Sequence, residues 1–256
     1  MNAPNVKILA ERIKIKINNF PYILLRPKID KNVLELFKGK RGIEIGGPSF
    51  FFSFTGPLPV YGVAKSVDTI NFSRHTLWED NLKDGDDFTY DGKKLGHQYI
   101  MDGSNLKKIN RNYNFVLSCH SLEHIANPIK ALMEWKKKLH PSGIICVIVP
   151  DKRYTFDWMR KYTSFRHILT DYKKKTTEND LTHKTEIIEG TDLQLAKIAR
   201  NKKEYGKKIS KNASSRIMHH HVFSVRLLKH ISRYCNMKLL MIKHVKPFHI
   251  FMIIEK

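Results

Sequence analysis

The sequence predicts an α/β protein: a mostly parallel sheet with helices on both faces, an antiparallel terminal strand and a lid-like insertion. Three observations carry this. Short apolar runs ending in glycine or an acid alternate with helix-length segments, the pattern of β-α-β units. Ile144 to Pro150, "IICVIVP", is apolar on both faces, as a strand inside a covered parallel sheet must be. Two further apolar runs close the chain after a polar stretch, residues 151–220.

The elements follow in order. Residues 1–40 form a basic extension in which Val6, Ile8, Leu9, Ile13, Ile15 and Ile17 mix helical and strand spacing. A helix is the expectation, and it can serve either as a cover for the core or as a contact to a membrane surface. Residues 41–256 form the main domain. Strands are expected at Gly42–Gly46, Gly62–Asp68, Gln98–Met101 and Phe115–Cys119. From Pro128 runs a helix whose Ile129, Leu132, Met133, Trp135 and Leu139 make one apolar stripe; proline suits its first turn. "HPSG" ends it, and the buried strand follows. Residues 151–220, rich in Lys, Thr and Tyr, are the insertion. "VFSVRLLKHISRYCN" is a helix, and "MKLLMIKHVKP" and "HIFMIIEK" bring the strands to seven.

Composition narrows the class. At 256 residues the chain can bury the core of one α/β domain. A hydrophobic fraction of 41% and 11% aromatics exclude a disordered chain. Cys119, Cys146 and Cys235 are far apart and form no C-x-x-C pair, which argues against a disulfide framework or a cysteine zinc site. No run approaches the ~18 apolar residues of a membrane span, and the start lacks the apolar core of a leader. A cytoplasmic protein is expected, with peripheral contact to an anionic inner membrane left open. The formal charge of +22 comes from 46 Lys and Arg against 24 Asp and Glu. It reads as solvated lysine faces or as an anionic partner. The spread of these residues along the whole chain favours solvated faces.

"GIEIGGPSFF", Gly42 to Phe51, joins a buried acid to a turn that needs glycine. Gly46 and Gly47 let the main chain approach a ligand closely. Glu44, just ahead of them, suits a cationic ligand, whereas phosphate binders place amide donors there. An acid about 20 residues further on suits ribose hydroxyls, and Asp68 is the candidate. Asp102-Gly103 ends the third strand, where an acid can accept from an adenine amine. Ser118-Cys119-His120 ends the fourth. Ligands of open parallel sheets bind at such carboxyl ends.

On these residues the sequence resembles the class I S-adenosylmethionine-dependent methyltransferases, the type 11 branch. The likeness covers about residues 40–151 and extends in pattern to the C-terminal helix and strands. It implies a Rossmann-like fold and S-adenosyl-L-methionine as cofactor. It also implies that Glu44 lies near the methionyl amine, that Gly46 and Gly47 pass the cofactor's middle, and that Ser118 to His120 line the methionine end. Asp68 matches the ribose acid and Asp102 the adenine-side acid. Pro48 and Ser49 depart from the usual E/D-x-G-x-G-x-G. "EIGGPS", "SLEHIANP" and "VPDKRYTFD" further resemble methyltransferases found with polysaccharide and lipopolysaccharide assembly enzymes. The implied reaction is O-methylation of a sugar hydroxyl in a glycan or glycolipid precursor, with residues 151–220 as the acceptor lid.

Transfer to a hydroxyl needs an aligned nucleophile and a base. His120, Asp151 and His220 are the catalytic candidates, and Arg153 and Tyr154 are candidates for holding the acceptor. Glu123 and His124 read as the start of a helix. His219-His220-His221 cannot all point one way; a metal there would need distant acids, and none is assigned. Two rival readings stay open. An RNA methyltransferase would use the charge, but no RNA module and no N-P-P-Y segment is present. A non-catalytic binding protein would keep only the fold.

Overall fold

The structure, a computed structural model, describes residues 3–25, 29–76 and 81–256. Its centre is one eight-stranded sheet: β1 (Arg41–Ile45), β2 (Ser66–Asn71), β3 (Asp87–Tyr90), β4 (Lys93–Ile100), β5 (Tyr113–Cys119), β6 (Leu139–Pro150), β7 (Lys238–Val245) and β8 (His249–Glu255). The order across the sheet is β3-β4-β2-β1-β5-β6-β8-β7. β4, β2, β1, β5 and β6 run parallel, and β8 is antiparallel to both of its neighbours.

Two expectations about strands are corrected. Among the described residues there are eight, not seven, because β3 pairs antiparallel with β4 at the edge. Its signal was present as Asp91-Gly92, both at positive φ, a two-residue hairpin turn. The second strand also lies further on than expected. Val60–Gly62 is a short 3-10 turn, and β2 pairs Ile70 with Ile45 and continues to Asn71. Asp68 is therefore inside the strand, not at its end.

Alternation along the strands splits the core. Ile43, Ile45, Val116, Ile145 and Val147 face one side and pack with Leu132, Trp135, Leu228 and Ile231. These come from the helices Pro128–Lys137 and Val225–Tyr234. Asn127 caps the first by accepting from Lys130 N–H, and Pro128 opens it as expected. Phe115, Leu117, Cys146, Ile148 and Phe251 face the other side. On this side the cover is short. Val33, Phe37, Phe51, Phe52, Leu58 and Tyr61 cover that face from short turns and a loop. Large aromatic rings let a short segment bury much apolar area.

The insertion has its own small core of Ile187, Tyr205, Ile209, Ile217 and Met218. The N-terminal helix, Ala3–Leu25, docks on this insertion: Arg12 Nε donates to Asp192 Oδ2 at 2.7 Å, and Asn19 Nδ2 to the Tyr154 carbonyl at 3.0 Å. Among the described residues no helix is long and apolar enough to cross a membrane.

Candidate active site

A cavity of about 500 Å³ opens at the carboxyl ends of β1, β2 and β5, beside the start of β8. β2 lies on one side of β1 and β5 on the other, so this is the switch point where open α/β sheets bind ligands. The turn after β1 forms its floor. Gly46 sits at φ +80°, and a Cβ there would meet Ser121 Oγ at 2.4 Å. Ser121 Oγ instead donates to the Ile45 carbonyl at 2.8 Å, and Gly46 N–H to the Ile70 carbonyl at 2.8 Å. Asn71 Nδ2 donates to the Gly47 carbonyl at 2.7 Å. Every bond fixes the turn from a neighbouring strand end. Gly103 is held likewise, its carbonyl accepting from Trp135 Nε1 at 2.7 Å.

Of the residues expected at a cofactor, Gly46, Gly103, Cys119 and His120 line this cavity. Glu44, Gly47, Asp68, Asp102 and Ser118 do not. Glu44 is fully buried under the turn, where Tyr61 Oη donates to its Oε2 at 2.5 Å and Ser49 N–H donates to that same hydroxyl at 2.9 Å. Gly47 covers it, since a Cβ there would stand 2.7 Å from the Glu44 carboxyl carbon. Burial pushes the Glu44 carboxyl up to about 7, against the lowering effect of hydrogen bonds from Ser49 and Tyr61. The acid thus supports the turn from below.

Asp68 accepts from Tyr113 Oη at 2.7 Å and from His97 N–H at 3.0 Å. Asn71 takes the strand-end position expected of it. Asp102 accepts from Ser104 N–H at 2.6 Å and from Arg216 Nη2 at 2.7 Å. Burial opposes its ionisation, but Arg216 and Ser104 hold its carboxyl below the usual range. Ser118 is buried inside β5. None of the three acids lines the cavity, although the sequence places all three at the cofactor.

The acceptor candidates are displaced too. Asp151 is buried and receives both Arg153 Nη2, at 2.6 Å, and Arg153 Nε, at 3.0 Å. That fork is the bidentate geometry expected of Arg153, spent within the chain. Tyr154 stacks under Arg153 and Lys246. None of the three lines the cavity. His220 Nε2 accepts from Asn212 Nδ2 at 3.0 Å, and burial drives its pKa down to about 2. It lines a separate cavity of about 540 Å³ with Arg160, His167, His183 and Glu186.

His120 alone of the catalytic candidates faces the first cavity. It holds φ +51°, an uncommon conformation for a side-chain-bearing residue. Its Nε2 lies 2.8 Å from His249 Nδ1 and its Nδ1 lies 3.5 Å from Glu123 Oε1. Burial and the neighbouring His120 drive the His249 pKa well below its ordinary value.

Ser49, Asn71, His124, Arg216, Lys246 and His249 complete the polar wall. His249 was legible in principle: β8 runs against β6, pairing Pro150 with His249, so its first residue must reach the carboxyl edge. Glu123 and His124 belong to a 3-10 turn, Leu122–His124, and the helix starts only at Pro128. Arg216 gave no signal, because the insertion's return path is not written in local periodicity.

No family model and no curated protein matches the sequence. Solved structures do. An S-adenosylmethionine dependent methyltransferase from Mesorhizobium loti is 11% identical with a TM-score of 0.51, covering 88% of this chain and 95% of that one. A putative S-adenosylmethionine dependent methyltransferase from Listeria monocytogenes is 14% identical at 0.48, covering 88% and 96%. A SAM-dependent methyltransferase from Methanosarcina mazei is 13% identical at 0.46, covering 90% and 98%. The Mesorhizobium likeness shows that this chain has a Rossmann-like methyltransferase fold.

Proposed function

We propose that the chain is an S-adenosylmethionine-dependent methyltransferase that methylates a hydroxyl of a sugar in a glycan or glycolipid precursor. One observation carries the reading: a cavity of about 500 Å³ at the switch point, floored by a main-chain turn at positive φ. The residues fit the cofactor at that floor, where Gly46 and Gly103 present backbone, and at the wall, where Lys246 supplies a cation for a carboxylate; Arg216 there is paired with Asp102 and Glu178. Ribose would meet Asn71 instead of an acid.

When bound, the sulfonium supplies an activated methyl group, so the chain has mainly to align the hydroxyl and take its proton. His120 is the base on this reading. It lines the cavity, its Nε2 exchanges the contact to His249 Nδ1 for the acceptor hydroxyl and takes that proton, and Glu123 beside Nδ1 is the countercharge. The sequence likeness to polysaccharide-assembly methyltransferases supports the sugar acceptor. The N-terminal helix supports a lipid-linked one, because Val6, Leu9, Ile13, Ile17 and Phe20 are 48% to 65% exposed. They share a helix with Lys7, Lys14 and Lys16, as in helices that lie on anionic membranes.

The test incubates the full chain with methyl-labelled S-adenosylmethionine and host glycan, lipid and RNA fractions. Label in glycan or glycolipid is expected. Label in RNA would move the reading to the rival acceptor, and failure to bind the cofactor by calorimetry would remove it.

A further inference from the structure

Glu123 is 1% exposed, yet neither of its carboxylate oxygens accepts a hydrogen bond. A buried, unpartnered carboxylate is costly unless something charged meets it. Its Oε1 has His120 Nδ1 at 3.5 Å. Two further imidazoles stand near it: Glu123, His124 and His219 each offer a ligand atom, and all three atoms lie within 4.8 Å of one another.

The surroundings orient both rings as metal sites orient theirs. His219 Nδ1 lies 2.5 Å from Asp157 Oδ2, a carboxylate–histidine pair that leaves Nε2 as the donor nitrogen. Asp157 is held in turn by Arg160 Nη1 at 3.0 Å, which also donates to the His219 carbonyl at 2.9 Å. His124 Nδ1 faces the Met218 carbonyl at 3.2 Å, so the same tautomer applies. The rings of His124 and His219 are 4.6 Å apart.

We propose that Glu123, His124 and His219 bind a divalent transition-metal cation, with Asp157 as the residue that orients His219. Two imidazoles and one carboxylate form a donor set suited to zinc and its first-row neighbours; magnesium and calcium prefer all-oxygen shells. Three protein donors leave a tetrahedral ion one open position. His124 lines the cavity, so a hydroxyl or water from that side can reach it. Binding does not require the methyltransferase reading, and would stand if that reading failed.

The test titrates Co²⁺, then Zn²⁺ in competition, into the purified full chain stripped of metal. One equivalent is expected to bind with micromolar affinity or better, giving the visible absorption of low-coordinate Co²⁺. Glu123→Gln and His219→Asn should abolish that band. Asp157→Asn should weaken binding about 10- to 100-fold. His167, Asp171 and His221 also approach within such a distance, so His221→Asn is the control and should leave the band intact. A wild-type protein that binds neither ion would overturn the proposal without any variant. So would binding that survives in folded Glu123→Gln and His219→Asn and disappears only in His221→Asn.

Discussion

Tyr61 donates its phenolic hydrogen to Glu44 beneath the Gly46–Ser49 turn, at 2.5 Å and out of contact with solvent. The pair joins β1 to the aromatic loop that covers one face of the sheet. It also explains why an acid stands before a glycine turn: the acid supports the turn from below.

The buried acid should make stability fall with pH. The folded carboxyl titrates near 7 and its ordinary value is 4.5, so between these the folded state holds a proton the unfolded state has released. Stability is then full below about pH 4.5 and declines as pH rises to 7, by about 3 kcal/mol in all. Urea melts of wild type and Glu44→Gln at pH 5 and pH 8 check this. The wild type should lose more stability over that interval, and the variant should lack this part of the slope. Equal slopes would show that Glu44 ionises freely in the fold.

Asp68 and Asn71 separate support from binding. Asp68 is occupied by Tyr113 and His97, away from the cavity, whereas Asn71 lines it and holds the Gly47 carbonyl. Asp68→Ala should cost about 1–3 kcal/mol in stability and leave cofactor affinity nearly unchanged. Asn71→Ala should weaken cofactor binding about tenfold, the loss of about one good hydrogen bond. Calorimetry on both variants decides it, and a reversed pattern would restore Asp68 as the ribose acid.

That contrast also shows what could be read ahead of the structure. The parallel strands, the helix from Pro128 and the turn at Gly46 follow from periodicity and glycine placement, which are local. Gly103 and His120 were reachable because carboxyl ends of parallel strands gather at one edge. Asp68 was misplaced by a strand end set three residues early, and one strand position inverts which face a side chain meets. Glu44 was assigned to a ligand because sequence does not show what covers a buried acid; Tyr61 does, from a loop with no periodic signal. His249, Arg216 and the partnership of Glu123 with His219 depend on sheet order and on the insertion's return, both long-range.

Arg160 should be among the most costly side chains to remove. It is 3% exposed and pairs with Asp157 at 3.0 Å and Glu186 at 3.0 Å, tying the first part of the insertion to its helix Lys184–Gly190. Arg160→Met keeps the stem but leaves Asp157 buried with one fewer cation. The expected loss is about 3–5 kcal/mol, read as a shift in the urea midpoint. The exposed pair Lys14–Glu11 is the comparison, and Lys14→Met should cost less than about 1 kcal/mol.

The N-terminal helix supplies the last prediction. Ile15 is buried and Arg12 reaches Asp192, so one side of the helix is committed to the insertion. Val6, Leu9, Ile13, Ile17 and Phe20 recur at helical spacing and stay exposed, a contiguous stripe that a protein in water rarely leaves uncovered. Lysines on the same helix give it the charge to approach anionic headgroups, and apolar insertion would then add to that attraction. The full chain should co-sediment with vesicles containing anionic lipid and much less with neutral ones, and added salt should reduce binding. Leu9→Asp with Ile17→Asp should abolish sedimentation while leaving the melting temperature within a few degrees, because both side chains are more than half exposed. A wild-type protein that ignores anionic vesicles at low salt would remove the membrane surface as the partner of this helix.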